Sequence, residues 1–387
     1  MKNEDEWFED FAEDDDLQVL EYDITSTPND FNVTTLFSFV ESGAVSIPGF
    51  QRNFVWDIKR SSKLIESLIL GLPVPQLFLY EQSKNKFLVI DGQQRLMSIY
   101  YFIKQRYPRK EKRADLRLIF EKHGGIPDDT LHDDKYFSNF RLQLPARLPG
   151  QPNPYSKRSY TTLGDAKLQF DLRPIRNVVI RQNSPDNDDS SVFEIFSRLN
   201  SGGVNLTPQE IRLSLYHSNF YDQLMNLNAE VGWRKVLGNS KPDLHLKDVE
   251  VLLRIFAMLV DRERYSPSMV KFLNQFSRKC QSHNEEQNAY LAALFDSFLV
   301  ACSELPDNAF LSRKSGRFSI ALIESVFTAT TKTAFAERRC LEGKISIDEI
   351  ERLAADDVFL EAATKASTQS SNVESRLNRG EHFITAL

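Results

Sequence analysis

The chain has 387 residues, 41% of them hydrophobic, enough to bury a sizeable core and to form two domains or one domain with a long helical extension. No apolar run approaches the roughly 20 residues that cross a bilayer, and the amino terminus lacks a basic-then-apolar pattern, so neither a membrane span nor a secretory leader is expected. The net charge of −6 is unevenly placed, because residues 1–23 hold eleven acidic side chains against one lysine and leave the remainder mildly basic. Cys280, Cys302 and Cys340 are odd in number and far apart, which excludes a disulfide frame or a zinc site and fits a reducing cytoplasm.

The segment 1–25 is too charged to bury apolar surface by itself and reads as a solvated, disordered tail. A sharper reading is that Trp7, Phe8 and Phe11 among its carboxylates imitate a nucleic-acid strand and cover a basic groove. From residue 32 the signals become regular. Asn32 to Ser42 predicts a short helix ended by Gly43, and Ser46 to Pro48 is extended. A second helix follows a cap at Asp57, with Leu64, Ile65, Leu68 and Ile69 on one face and Gly71 at its end. Gln76 to Tyr80 and Lys86 to Ile90, separated by a polar turn, predict a β-hairpin. The next helix starts inside the run Asp91-Gly92-Gln93-Gln94-Arg95 and keeps Leu96, Ile99, Tyr100 and Ile103 on one face.

Residues 107–170 are less regular, with a basic cluster from Arg106 to Arg113, a strand expected near Leu116 to Phe120, and a Pro-rich run from Pro145 to Pro154. Ile175 to Arg181 predicts a strand, and Ser191 to Asn200 a helix ending at Gly202-Gly203. Thr207, Pro208 and Glu210 combine an N-cap, a proline at the first helical position and the glutamate of a capping box. Helices are then expected over Lys247 to Val260, Ser266 to Lys279, Glu285 to Glu304, Ser319 to Phe335, Ile345 to Ala354 and Val358 to Ala366, making the carboxy-terminal third an α-helical domain.

The strongest candidate for chemistry is strand, then Asp91 to Arg95, then helix. A glycine there lets the backbone turn tightly, and the bare amides of a first helical turn favour an anion such as phosphate. Arg95 can add a bidentate contact, Asp91 suits Mg²⁺ or a water, and Gln93 and Gln94 can orient a water or bind a base or ribose. The plain alternative is that Asp91 only caps the helix. In a second cluster, Phe50-Gln51-Arg52 with Phe54 and Trp56, Gln51, Arg52 and Trp56 can touch phosphates or stack on a base, although Phe50, Phe54 and Trp56 read first as core. In a third, Phe196 to Val204, Arg198 and Asn200 are the residues able to reach a ligand, and Gly202 and Gly203 read as an ordinary helix end.

These clusters, with the run from Asn200 to Glu210, occur in the order seen in the amino-terminal domain of GmrSD-type restriction systems, a domain distantly similar to ParB and sulfiredoxin domains. The resemblance covers roughly residues 30–260 and extends into Asp248 to Arg254. It implies an α+β protein with a ParB/sulfiredoxin-like α/β domain over 26–245, here followed by an all-helical domain over 246–387. It further implies nucleotide binding and hydrolysis by Asp91, Gln93, Gln94 and Arg95 with Mg²⁺ at Asp91. Gln51, Arg52, Trp56, Gly92, Arg198 and Asn200 would complete the nucleotide site.

The family's DNA cleavage comes from an HNH nuclease, and the six scattered histidines here form no such core, so a separate nuclease subunit is expected. Asp128, Asp133, Asp134 and Lys135 resemble a carboxylate–lysine nuclease pattern at too short a spacing, and no P-loop is present. The expected function is therefore a nucleotide-hydrolysing, DNA-sensing subunit of an anti-phage or modification-dependent restriction system, cytoplasmic and able to self-associate. The alternatives are a non-enzymatic ParB-like DNA- or protein-binding module and a metal-dependent ParB-like nuclease.

Overall fold

In the computed structural model the described residues are 7–9, 23–46, 54–113, 115–116, 119, 126–146, 151–184, 191–192, 195, 207–243, 245–312 and 314–385. They fall in two units, Glu21–Leu206 and Thr207–Leu387 with Met1–Leu20. The class is α+β, as the sequence predicts.

The first unit runs through β1 (Asp23–Asn32), α1 (Val33–Glu41), β2 (Val45–Ser46), α2 (Ile58–Leu70), β3 (Leu77–Ser83), β4 (Lys86–Asp91), α3 (Gln93–Ile103), β5 (Arg106–Pro108), α4 (Asp128–His132), β6 (Phe137–Asn139), α5 (Ala166–Asp171) and β7 (Pro174–Ser184). Among the described residues the main sheet has the order β1-β7-β3-β4-β2, with β3 parallel to β7, β2 parallel to β4, and the other two pairs antiparallel. The face bearing Leu77, Leu79, Val89 and Ile175 packs in one core with Leu36 of α1, Leu64, Ile65 and Leu68 of α2, Leu96, Ile99 and Phe102 of α3, and Phe170 of α5. The order brings the start of β3 beside the end of β4, with Phe78 opposite Asp91.

The local signals act as expected at several ends. Asp57 Oδ1 accepts from Arg60 N at 2.7 Å, and Gly71 closes α2 in the left-handed region. Two parts differ from expectation. β1, a ten-residue strand, is absent from the sequence reading because Asp-Ile-Thr-Ser-Thr-Pro-Asn-Asp is polar and contains Pro28; it lies at the sheet edge, where a proline costs little pairing. Where a strand is expected near Leu116 to Phe120, the described Leu116 and Ile119 have helical backbone instead, as does Asp115, and the spacing of Leu116 and Ile119 suits a helix as well as a strand. The extended Ile47 and Pro48, and most of the helix expected over 191–200, lie outside the described residues.

The second unit begins with the capping box: Thr207 Oγ1 accepts from Glu210 N, and Glu210 Oε2 accepts from Thr207 N at 2.8 Å. It contains α6 (Pro208–Leu215), α7 (Asn219–Ala229), α8 (Val231–Leu237), α9 (Lys247–Asp261), α10 (Met269–Cys280), α11 (Glu285–Ala301), α12 (Ile320–Ala336), α13 (Ile347–Ala354), α14 (Asp357–Thr364) and α15 (Ser370–Phe383). The helices from Pro208 on thus group with this unit, ahead of the expected boundary at 246. Its centre is α9, whose residues from Val251 to Leu259 are all buried. Three residues of the acidic segment are held here rather than solvated. Glu9 N donates to Phe318 O and Phe318 N to Trp7 O, both at 2.9 Å, Trp7 Nε1 donates to Leu237 O at 2.9 Å, and Phe8 is buried edge-on against Phe318.

Three helices of this unit are tied by a buried ionic triad. Glu324 of α12 accepts from Arg254 of α9 at 2.5 Å and from Arg376 of α15 at 2.9 Å, with all three side chains buried. Burial alone would raise the Glu324 carboxyl, but the two guanidiniums outweigh it and hold the group below its ordinary value. Replacing Glu324 by Gln removes the carboxylate that two buried cations share and is expected to cost about 3–5 kcal/mol, read from the urea midpoint. The carboxylate's contribution to stability should be present above pH 4.5 and be lost as pH falls through the lower folded-state value. An unchanged midpoint at neutral pH would show that the triad does not hold the unit.

Candidate functional site

β4 ends at Asp91 and α3 starts at Gln93, so Gly92 alone makes the turn. Its φ of +97° lies in the region that favours glycine, and a Cβ placed on it would come within 2.1 Å of Leu77 Cδ2. No side chain caps α3. The plain expectation that Asp91 is the cap is therefore corrected: its carboxylate reaches one turn onward, where Oδ2 accepts from an Arg95 terminal nitrogen at 2.9 Å. The same nitrogen donates to the Gln76 carbonyl at 3.0 Å, which fixes the guanidinium against the start of β3.

Two donors at this turn are unspent. Arg95 Nε and Gln93 Nε2 are both buried and have no hydrogen-bond partner among the described residues. Leaving a buried donor unmade costs about 1–3 kcal/mol. An anionic or carbonyl oxygen from a ligand, or a water, is the kind of group that offsets such a cost. The turn therefore combines an uncapped helix start, a guanidinium and two donors waiting for an acceptor.

Gln94 does something the sequence does not disclose. Its Oε1 accepts from Val55 N at 3.0 Å and Trp56 N at 3.2 Å, so it ties the segment before α2 to the start of α3. The Trp56 carbonyl is held as firmly, accepting from Tyr107 OH at 2.8 Å and from an Arg113 terminal nitrogen at 2.9 Å. Beneath these bonds Ser61 Oγ lies 3.2 Å from Tyr107 OH and 3.0 Å from Ser98 Oγ, and Ser98 Oγ lies 2.7 Å from the Gln94 carbonyl. Burial pushes the Tyr107 hydroxyl up to about 12, against the opposing pull of Ser61 and Arg113, so it stays a neutral donor. Burial likewise lowers the half-buried Arg113 guanidinium.

Of the expected site residues, then, Asp91 and Arg95 are joined as an ion pair, Gln93 and Arg95 carry the unspent donors, and Gln94 is joined to Trp56. The Trp56 indole is half-buried against the core with the Arg60 guanidinium 4.5 Å from its ring centre, while Phe54 is core, edge-on to Tyr101 and Tyr107. Gln51, Arg52, Arg198 and Asn200 lie outside the described residues. Sequence reasoning missed Ser61, Ser98, Tyr107 and Arg113; the only available signal was a hydroxyl at positions 61 and 98 on otherwise apolar helix faces. The carboxylates of the short-spaced nuclease-like pattern serve local structure, with Asp134 paired at 2.8 Å to the buried Arg106 and Asp133 Oδ1 accepting from Lys135 N. Among the described residues no three His, Cys, Asp or Glu side chains converge as a metal site.

Residues 33–217 match the family described as GmrSD restriction endonuclease, N-terminal domain. The match starts at the first residue of α1, takes in the whole turn, and runs on through α6. An uncharacterized protein of Methanocaldococcus jannaschii is 21% identical over 239 aligned residues, which cover 48% of this chain and 41% of that relative. The chain thus spans about two-fifths of the relative's length.

Two substitutions check the geometry. Gly92→Ala forces a strained φ and a clash with Leu77, and is expected to lower stability by about 2 kcal/mol or more, measured by urea unfolding. Gln94→Ala releases the Val55 and Trp56 amides, so their hydrogen exchange should speed up about fivefold relative to neighbouring helices, as expected for an isolated hydrogen bond worth roughly 1 kcal/mol. Equal exchange in the variant would mean that Gln94 does not hold the segment.

Proposed function

From the match of residues 33–217 to the GmrSD restriction endonuclease N-terminal domain, we propose that the chain is a nucleotide-hydrolysing, DNA-sensing subunit of a restriction system that acts with a separate nuclease. The observation that carries this reading is the pair of buried, unpartnered donors, Gln93 Nε2 and Arg95 Nε, beside an uncapped helix start. Nitrogen donors beside the positive end of a helix dipole favour a phosphate. Arg95 takes phosphate oxygens in exchange for Asp91, and the amides of the first turn share the charge. Asp91, released from Arg95, is the side chain that would hold Mg²⁺ or orient the attacking water.

The residues fit such an ion. The Asp91 carboxylate is 40% exposed and spends one oxygen on Arg95. Mg²⁺ commonly takes only one or two protein carboxylates and completes its shell with water and phosphate oxygens, so a site with a single carboxylate is adequate. When bound, it would neutralise phosphate charge. Gln93, with its free amide nitrogen, is placed to bind phosphate or the attacking water. Gln94 positions the wall formed by Val55 and Trp56 and is left out of the chemistry.

A second reading, a non-enzymatic ParB-like module that binds DNA or a protein, is favoured by a specific feature: Asp91 and Gln94 are both engaged in bonds within the protein. Turnover separates the two. Asp91→Ala and Arg95→Ala are expected to leave a folded protein whose nucleoside triphosphate hydrolysis falls at least about 100-fold, the usual scale for losing one group that stabilises developing charge. Full hydrolysis in either variant would refute the site, and binding without hydrolysis by the unaltered protein would favour the module.

A further inference from the structure

The basic run from Arg106 to Arg113 has no role in nucleotide binding, yet the structure sets its end against the start of α2. Tyr107 and Arg113 both donate to the Trp56 carbonyl, one residue before the cap of α2, and Tyr107 also meets Ser61 in its first turn. α2 buries Ser61, Ser62, Leu64 and Ile65, and so turns Lys59, Arg60 and Lys63 to solvent. Lys110, from the other segment, is exposed as well. Two stretches about fifty residues apart in sequence, joined at the Trp56 carbonyl, thus each present exposed cations.

Within residues 57–63 and 107–115 Asp115 is paired with Lys112, and the exposed Asp57 and Glu111 keep their charge, but against these two stand the exposed Lys59, Arg60, Lys63, Arg109 and Lys110. Among the described residues the ammonium groups of Lys59, Lys63 and Lys110 have no hydrogen-bonding or ionic partner, so nothing described in the fold requires their charge. Arg60 lies over the Trp56 ring, and beside it Val55 is 64% exposed. Cations around an aromatic group are the pattern that follows a nucleic-acid backbone, whose counter-ions they displace.

We propose that this surface, where the start of α2 meets residues 107–113, binds the phosphate backbone of DNA independently of base sequence. The inference rests on the DNA-sensing reading and gives it a place. Gln94 joins the surface to the nucleotide turn, because the Val55 and Trp56 amides that it holds belong to the segment on which Arg60 and Arg113 rest.

The test is fluorescence anisotropy of a labelled duplex with the full chain, titrated at several salt concentrations, for the unaltered protein and for a K59Q/K63Q/K110Q triple variant. The variant is expected to unfold at the same temperature and to hydrolyse nucleotide normally. Its affinity at low salt should fall about tenfold or more, equally for modified and unmodified duplexes, and its plot of log affinity against log salt should be shallower by about 2 to 3. Unchanged affinity and slope would overturn the surface while leaving DNA sensing in place. If the unaltered protein bound no duplex at any salt concentration, the DNA reading would fail and take the surface with it, whatever the hydrolysis assay gave.

Discussion

The site depends on one steric constraint, the contact of Leu77 with the space above Gly92. Because a Cβ at Gly92 would overlap Leu77, the end of β4 and the start of β3 can close to that distance only around a glycine. That approach brings the Gln76 carbonyl within reach of Arg95, so the guanidinium is aimed by the sheet before any ligand arrives. A side chain with Lys geometry could satisfy the carbonyl or Asp91 but would not leave an Nε donor in a fixed plane beside them. Preorganisation here is a consequence of backbone packing, and the helix start is left bare because a glycine in the left-handed region offers no side chain to cap it.

The five residues Asp91 to Arg95 divide their work by helical position. Asp91 and Arg95 sit one turn apart and pair, whereas Gln94 points toward α2 and holds the backbone of Val55 and Trp56. Tyr107 and Arg113 hold the same peptide segment from its carbonyl side, so Trp56 is fixed at both N–H and C=O. A segment fixed in this way cannot move without disturbing α3, and α3 cannot shift without disturbing it. The arrangement couples what touches α2 to what touches Arg95, and the buried Ser61, Ser98 and Tyr107 hydroxyls run between them.

Local chemistry made much of the fold legible. The capping residues Asn32, Asp57, Thr207 and Glu210, the glycine at 71 and the apolar faces of α2 and α3 each dictated an element that formed. β1 stayed hidden because it owes its existence to pairing with β7 and carries few apolar residues of its own. The helices α7, α8 and α15 were likewise unread, the last bearing the polar run Ser370 to Asn372 and, as buried members, Val373, Arg376, Leu377 and Gly380. Of the site, the glycine turn and Arg95 could be seen in sequence, while the roles of Gln94, Tyr107 and Arg113 could not. Those roles are made of contacts between residues about 40 to 60 positions apart, which no spacing rule reports.

The closed pair of Asp91 and Arg95 bears on whether a nucleotide can enter. An ion pair one helical turn apart with one partner 40% exposed contributes little, on the order of 0.3–0.5 kcal/mol. A phosphate brings more charge than a carboxylate and can engage Arg95 Nε, the donor that Asp91 leaves untouched. In the proposed reading, exchanging Asp91 for phosphate would give up a weak contact and satisfy an atom whose isolation is costly. Asp91 would then lose its cation and be free to hold another, so that an anion bound at this turn would raise the affinity for a metal ion beside it.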